Sequence, residues 1–459
     1  MSRELAIITS RFTVLLLCIA LQGSGVAQER DVAAEFKAAK GGITSQLRGK
    51  KSNRLEAVRK VEAFPTPEAA KLLLHQGMSN TDEEVRRASF DVLVKFSRDN
   101  EVCTFLRATI GKHWTQGKPQ PETFVCIALL LASELPDFQA EAIALVKEAA
   151  EHPASGRIIL ITLADELSNF RGNNAARPLI ELMDVPLFEE DFAFRRAVEQ
   201  ALTQVRSKSA VTALIRLLTL VKGEVRSDIV RYLTELSGQQ LGLEAAAWQD
   251  WWQQNETKFE FPPERKIGAG GLANLGPQVP KRPAAGPSYY GLELSGAKLI
   301  FIIDASGSMN GPRIIAAKRE LVRAIEGLPG DVEFNVIAFN SRTYVWQSKL
   351  VPASGENKQN AMYFVAALGL ANQTASYDAL DAALQFDGEA IYFLTDGAPV
   401  GGKITNPPDI IRAITQRNRF RRMTINSLGI GVGQPGNTFD TFLSVLAQQN
   451  FGAYERVDQ

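Results

Sequence analysis

The stretch Leu299-Ile-Phe-Ile-Ile-Asp304-Ala-Ser306-Gly-Ser308-Met-Asn-Gly311 sets an unbroken apolar run directly against an acid and two hydroxyls at alternate positions. The run 299–303 has no polar alternation, the pattern of a central parallel strand covered on both faces. Open α/β sheets bind ligands beyond the C-terminal ends of such strands. Asp304, Ser306 and Ser308 thus stand where a metal site belongs. An all-oxygen donor set favours hard cations, Mg2+ or Mn2+ before Zn2+, with Ca2+ as a further candidate. The plainer reading is a strand running into a polar turn.

Two later segments favour the site. Ala390-Ile-Tyr-Phe-Leu-Thr-Asp396-Gly is a second apolar run ending in an acid, and Ala371-Asn-Gln-Thr374-Ala-Ser-Tyr-Asp378-Ala-Leu is a polar turn opening a helix. Around them the pattern predicts strands at 299–303, 333–339, 344–346, 390–394, 424–429 and 453–457. Helical spacing falls at 312–326, 357–367, 376–385, 408–419 and 438–449. This alternation predicts a doubly wound, mostly parallel α/β sheet with right-handed crossovers. Its first and fourth strands meet where strand order reverses, bringing Asp304 and Asp396 together at the switch point.

These three loops resemble the von Willebrand factor A domain with its metal-ion-dependent adhesion site, over residues 299–457. The spacing of Trp346, Ala361, Thr374 and Leu-Thr-Asp-Gly at 394–397 looks most like the inter-alpha-trypsin inhibitor heavy-chain type. The resemblance implies a Rossmann-like fold, with the hydroxyls of Ser306, Ser308 and Thr374 on the metal and with Asp304 and Asp396 acting mainly through water. A metal surrounded by neutral oxygens stays electrophilic, so a carboxylate from a partner completes its coordination. The sequence departs from the family pattern in two places. Where the family has glycine before the loop-two threonine, this chain has Asn372 and Gln373, and glycine reaches backbone angles that other residues avoid. Ser376 is a nearby substitute for Thr374, although Thr374 keeps the usual offset to Asp378. The sequence also stops at Gln459, directly after the last expected strand, so the family's terminal switching helix is expected to be missing.

Three other motifs in this half are weaker. Gly397 to Lys403 has P-loop spacing, but Ile404 stands where a Ser or Thr must reach Mg2+. Gly431, Gly433 and Gly436 match a dinucleotide fingerprint, yet no second βαβ half follows. An aspartyl phosphatase needs a second acid two residues after its nucleophile, and Ser306 occupies that place.

At the other end, Arg3 and Arg11 precede a short apolar stretch at 12–21, followed by Gly25-Val-Ala27. This reads as a signal peptide, 1–27, cleaved after Ala27, since about ten apolar residues cannot cross a bilayer about 30 Å thick. The protein is expected to be exported: periplasmic, secreted or at the cell surface, with no transmembrane span. The balance of 51 basic and 51 acidic side chains argues against a nucleic-acid partner. Outside the signal, Cys103 and Cys126 either pair or stay as buried thiols. His75, His113 and His152 are scattered, which supports neither a zinc site nor a histidine-based triad.

After a short segment, 28–42, residues 43–255 read as helical throughout. Asp82-Glu-Glu-Val-Arg-Arg-Ala-Ser-Phe places apolar residues three and four apart, and breaks recur near Pro65, Asn80, Pro119, Pro153, Pro186 and Gly223. The spacing of these units resembles HEAT-type repeats, which implies an all-α solenoid with an extended binding surface; a compact bundle is the alternative. Trp248, Trp251 and Trp252 seal the last repeat or form a carbohydrate-stacking patch. The segment 256–287 is a Gly- and Pro-rich linker, 288–459 is the metal-binding domain, and 289–294 is expected to add an edge strand.

Together these readings describe an exported, noncatalytic adhesion or assembly protein. Its divalent metal grips an acidic side chain of one protein partner, and its helical array serves a second. The alternative is a Mg2+-dependent enzyme, or enzyme subunit, acting on a phosphorylated or peptide substrate.

Overall fold

A computed structural model of the chain describes residues 31–114, 121–151, 156–170, 172–262, 286–431 and 433–457. The signal segment, most of the linker, His152 and the side chain of His113 lie outside the described residues. Contacts divide the chain between Phe105 and Leu106, inside the helical region and not in the segment 256–287.

The first unit is built from α1 (Val32–Leu47), α2 (Lys51–Val61), α3 (Pro67–Leu72) and α4 (Glu83–Phe96). Short polar side chains start three of them by accepting a free amide of the first turn. Asp31 takes Ala34 N at 2.9 Å, Thr66 takes Ala69 N at 3.2 Å, and Asp82 takes Glu84 N at 3.0 Å. Phe36, Val58, Val61, Phe90 and Phe96 are buried in its core. Helix α5 (Asn100–Trp114) runs across the division.

The second unit begins with helices: α6 (Pro121–Ala132), α7 (Pro136–Ala150), α8 (Gly156–Ser168), α9 (Asn173–Glu181), α10 (Leu187–Glu190), α11 (Phe192–Gln204), α12 (Lys208–Leu217), α13 (Gly223–Ser237) and α14 (Ala245–Asn255). In α14, Trp248 and Trp252 are buried, donating to Gly242 O at 2.9 Å and Thr212 Oγ1 at 2.8 Å. This pair packs inward and closes the helical run. Cys103 and Cys126 are both buried and are not joined by a disulfide; Cys103 Sγ donates to Ser97 O at 3.1 Å.

A hairpin, β1 (Ser288–Tyr289) and β2 (Leu292–Glu293), turns through Tyr290 and Gly291, both at positive φ. It forms its own two-stranded sheet, which corrects the expectation of an edge strand on the main sheet. Both turn residues sit left-handed, the geometry that closes a two-residue hairpin on itself.

The main sheet comprises β3 (Lys298–Asp304), β4 (Glu333–Phe339), β5 (Thr343–Val345), β6 (Val351–Pro352), β7 (Ala390–Thr395), β8 (Thr424–Ile430) and β9 (Tyr454–Val457). Its order is β5-β4-β3-β7-β8-β9, with β6 also on β4. All pairs are parallel except those of β5 and β6 with β4. The side chains of β3 divide by alternation. Leu299, Phe301 and Ile303 pack under α15 (Pro312–Gly327) and α16 (Gly355–Ala367). Ile300 and Ile302 pack under α17 (Ser376–Ala383), α18 (Pro407–Asn418) and α19 (Thr438–Gln449). This two-sided burial explains the absence of polar residues in the run.

The helices α11 and α13 meet the N-terminal end of this sheet through buried charge. Arg196, wholly buried, donates to Asp228 Oδ2 at 2.9 Å, Arg422 O at 2.7 Å and Thr424 Oγ1 at 2.8 Å. Glu224 accepts from Thr424 Oγ1 at 2.8 Å and from Ser295 Oγ at 2.9 Å. Arg422 reaches back to Gln200 Oε1 at 2.5 Å and pairs with Asp165.

Candidate metal site

Strand order reverses between β3 and β7, which run parallel with Ile303 opposite Leu394. The chain leaves both strands at the same end, so Asp304 and Asp396 emerge side by side in the crevice between the crossovers. Asp304 is fully buried. Its Oδ1 accepts Ser306 N at 2.7 Å and its Oδ2 accepts Thr395 Oγ1 at 2.5 Å. Burial pushes its carboxyl up to about 6, against the lowering effect of the Thr395 and Ser306 hydrogen bonds.

The hydroxyls form a chain. Ser306 Oγ lies 3.0 Å from Ser308 Oγ, and Ser308 Oγ donates to Asp396 Oδ1 at 2.7 Å. The second loop is tied in by its backbone: Ala371 N donates to Ala305 O at 3.1 Å and Ala375 N to Asn340 O at 2.9 Å. Between these ties lies Thr374, which is buried. A Cβ on Gly397 would stand 3.5 Å from Ser308 Oγ and 3.8 Å from Thr374 Oγ1, so both hydroxyls face the bare glycine of loop three. Gln373 holds φ at +69°, the left-handed conformation that a glycine would adopt without strain. Ser376 opens α17 instead, buried and with no hydrogen-bond partner for its hydroxyl among the described residues.

All five expected residues thus converge at one end of the sheet. Three further residues belong with them. Arg313, at the start of α15, donates from Nη1 to Asp396 Oδ2 at 2.8 Å. Thr395 and Asn340 hold Asp304 and the second loop. Thr395 was open to recognition as the hydroxyl beside an acid at a strand end. Arg313 and Asn340 act through the fold, and no local pattern marks them. The lysine of the P-loop-like stretch is turned to Asp378: its backbone N donates to Asp378 Oδ2 at 3.0 Å and its Nζ lies 3.9 Å from Asp378 Oδ1.

The donor chemistry fits a hard divalent cation. Among the described residues no three His, Cys, Asp or Glu side chains cluster as a metal group. The candidate set is two buried carboxylates with two serine hydroxyls and a threonine hydroxyl. Among the described residues no basic side chain forms an ion pair with Asp304, so a cation would offset its desolvation.

A family model described as von Willebrand factor type A domain matches residues 297–456. Inter-alpha-trypsin inhibitor heavy chain H4 of Homo sapiens is 31% identical over 185 residues, covering 37% of this chain and 19% of that protein. Heavy chain H1 of Mesocricetus auratus is 32% identical over 174 residues, covering 35% and 18% respectively. The matched segment therefore spans about a fifth of those relatives. Among solved structures, the von Willebrand factor type A protein from Catenulispora acidiphila aligns at 24% identity and a TM-score of 0.31, over 35% of this chain and 38% of that one. The PilB minor pilin from Streptococcus sanguinis aligns at 13% identity and a TM-score of 0.27, over 35% and 56%. By its sequence match and its sheet, the segment 297–456 is a von Willebrand factor type A domain, related to that of the inter-alpha-trypsin inhibitor heavy chains.

Proposed function

We propose that this is an exported, noncatalytic adhesion or assembly protein whose A domain captures a carboxylate of a protein partner through a divalent metal. Ser306, Ser308 and Thr374 would hold Mg2+ or Mn2+ by their hydroxyls, while Asp304 and Asp396 balance its charge through bound water. The observation that carries this reading is the convergence of these five side chains from three loops at the switch point of the sheet. The metal supplies an electrophilic position for an incoming carboxylate. The chain's own residues orient the hydroxyls, through the Ser306–Ser308–Asp396 hydrogen-bond chain. Val400, exposed beside the loop-two backbone that it bonds at Thr374 O, offers an apolar contact at the rim. The helices at 43–255 are proposed as a HEAT-like array for a second protein, joined through 256–287. Among the described residues no helix is long and apolar enough to cross a membrane.

Calorimetric titration of the purified chain with Mg2+ and Mn2+ tests the site first. Saturable binding that Ser308→Ala weakens and Asp304→Ala removes is the expected result. Pull-downs with and without EDTA then test the role. Partner capture that persists through both EDTA and Asp304→Ala would assign the interaction to the helices instead.

A further inference from the structure

The main sheet ends in two edge strands, and the sequence treats them differently. At one edge, β9 carries Glu455 and Arg456, charges that discourage a stray strand from pairing with it. At the other edge, β5 and the residues after it read Thr343-Tyr-Val-Trp-Gln347, with no charge, proline or glycine. Most of these are β-branched or aromatic, the types that fit a pleated strand best. Tyr344 and Val345 nonetheless remain 44% and 40% exposed. The ladder fixes which backbone groups are left over. Asn340 N donates to Arg342 O at 3.0 Å and Trp346 N to Val336 O at 2.9 Å, with Ala338 opposite Tyr344 between them. Antiparallel pairing alternates, so Arg342, Tyr344 and Trp346 turn their backbone groups toward β4, while Thr343 and Val345 turn theirs outward. Among the described residues no loop, turn or capping bond takes up these outward groups.

An antiparallel edge is complementary to a second copy of itself about a two-fold axis. With the axis at Tyr344, Thr343 of each copy stands opposite Val345 of the other, and each such pair exchanges both of its outward N–H···O bonds. Side chains then meet in pairs on both faces. Tyr344 meets Tyr344 and the exposed Arg342 faces Trp346 on one face, and Thr343 meets Val345 on the other. The balance of 51 basic and 51 acidic side chains adds no net repulsion between copies. We propose that the protein forms a two-fold dimer by antiparallel pairing of β5 with β5 of a second copy, in the register centred on Tyr344. The interface is separate from the metal site and does not rest on the adhesion reading.

Analytical ultracentrifugation of the full chain at about 100 µM should give a mass about twice that of one chain, falling toward the monomer on dilution. Tyr344→Lys sets like charges face to face at the axis and should weaken association about tenfold or more. Val345→Pro removes an outward N–H that β4 does not use, so it should also weaken association while leaving the ladder to β4 intact. Tyr344→Cys reads the register. Residues opposite one another in a pair without hydrogen bonds have Cα atoms about 4.5 Å apart, within reach of a disulfide. Mild oxidation should therefore join Tyr344→Cys chains covalently, while Tyr363→Cys, a more exposed position on α16, should not cross-link. A chain that stays monomeric at the same concentration overturns the proposal and leaves this edge to an extended segment of another protein. A dimer that survives both Tyr344→Lys and Val345→Pro overturns it by placing the interface elsewhere. So does a dimer in which Tyr344→Cys cross-links no faster than Tyr363→Cys. Should Val345→Pro fail to fold, Tyr344→Lys and the cross-link decide the matter in the same two directions.

Discussion

Asp304 is buried and carries its raised carboxyl, about 6 against an ordinary 3.8, at a place where no basic side chain is paired with it among the described residues. In the metal-free fold its ionised form is the disfavoured one. The stability tied to this group is therefore complete below pH about 4 and falls away as pH rises through about 6. Asp304→Asn should accordingly stabilise the protein in EDTA at pH 7, by about 3 kcal/mol at most, and make little difference at pH 4. Urea unfolding at the two pH values measures this, and equal effects at both would refute it. Arg313 acts in the opposite sense. Its guanidinium bonds the Asp396 carboxylate, so in the proposed metal site it would compete with the cation for the same negative charge. Arg313→Gln should raise Mg2+ affinity about threefold to tenfold, the worth of a partly exposed ion pair. Weaker binding in that variant would instead make Arg313 a support that keeps Asp396 in position.

Among the elements, the second loop carries the clearest local conflict. Gln373 adopts φ of +69° while Gly401 lies so close that a Cβ there would stand 2.8 Å from Gln373 Cβ. A left-handed non-glycine residue costs about 1 kcal/mol, so Gln373→Gly should stabilise the domain by about 0.5–1 kcal/mol, read as a shifted urea midpoint at unchanged slope. Loss of stability would show that the Gln373 side chain holds the loop. This conflict was foreshadowed in the sequence, because glycine is the residue such a turn wants. The strands at 333–339 and 390–395 and the helix at 438–449 were equally legible, since two-sided burial and three-four spacing leave plain patterns. The two-residue strand β6 and the separate β1-β2 hairpin were not, for neither is long enough to develop a period. In the site, Asp304, Ser306, Ser308 and Asp396 were readable because each stands at or just beyond the end of an apolar strand. Arg313 was not, because only the path of α15 brings it to Asp396.

For the molecule as a whole, the Gly- and Pro-rich segment 256–287 suggests a joint, yet the helices before it share buried hydrogen bonds with the sheet after it. Limited proteolysis should cut first within 256–287, and the two fragments should still co-elute in size-exclusion chromatography at physiological salt. Arg196→Ala should release them, since it strips Asp228 of a buried partner and costs about 3–5 kcal/mol. Fragments that separate at once in the wild-type chain would contradict this. The contact from Arg196 to Arg422 O and Thr424 Oγ1 also bears on inheritance. An A domain transplanted onto these helices would bring a backbone carbonyl at position 422 whatever its sequence, but without a hydroxyl at position 424 it would leave Arg196 to Asp228 and that carbonyl alone. The fit of the sheet to these helices therefore depends on one side chain of the sheet, the Thr424 hydroxyl.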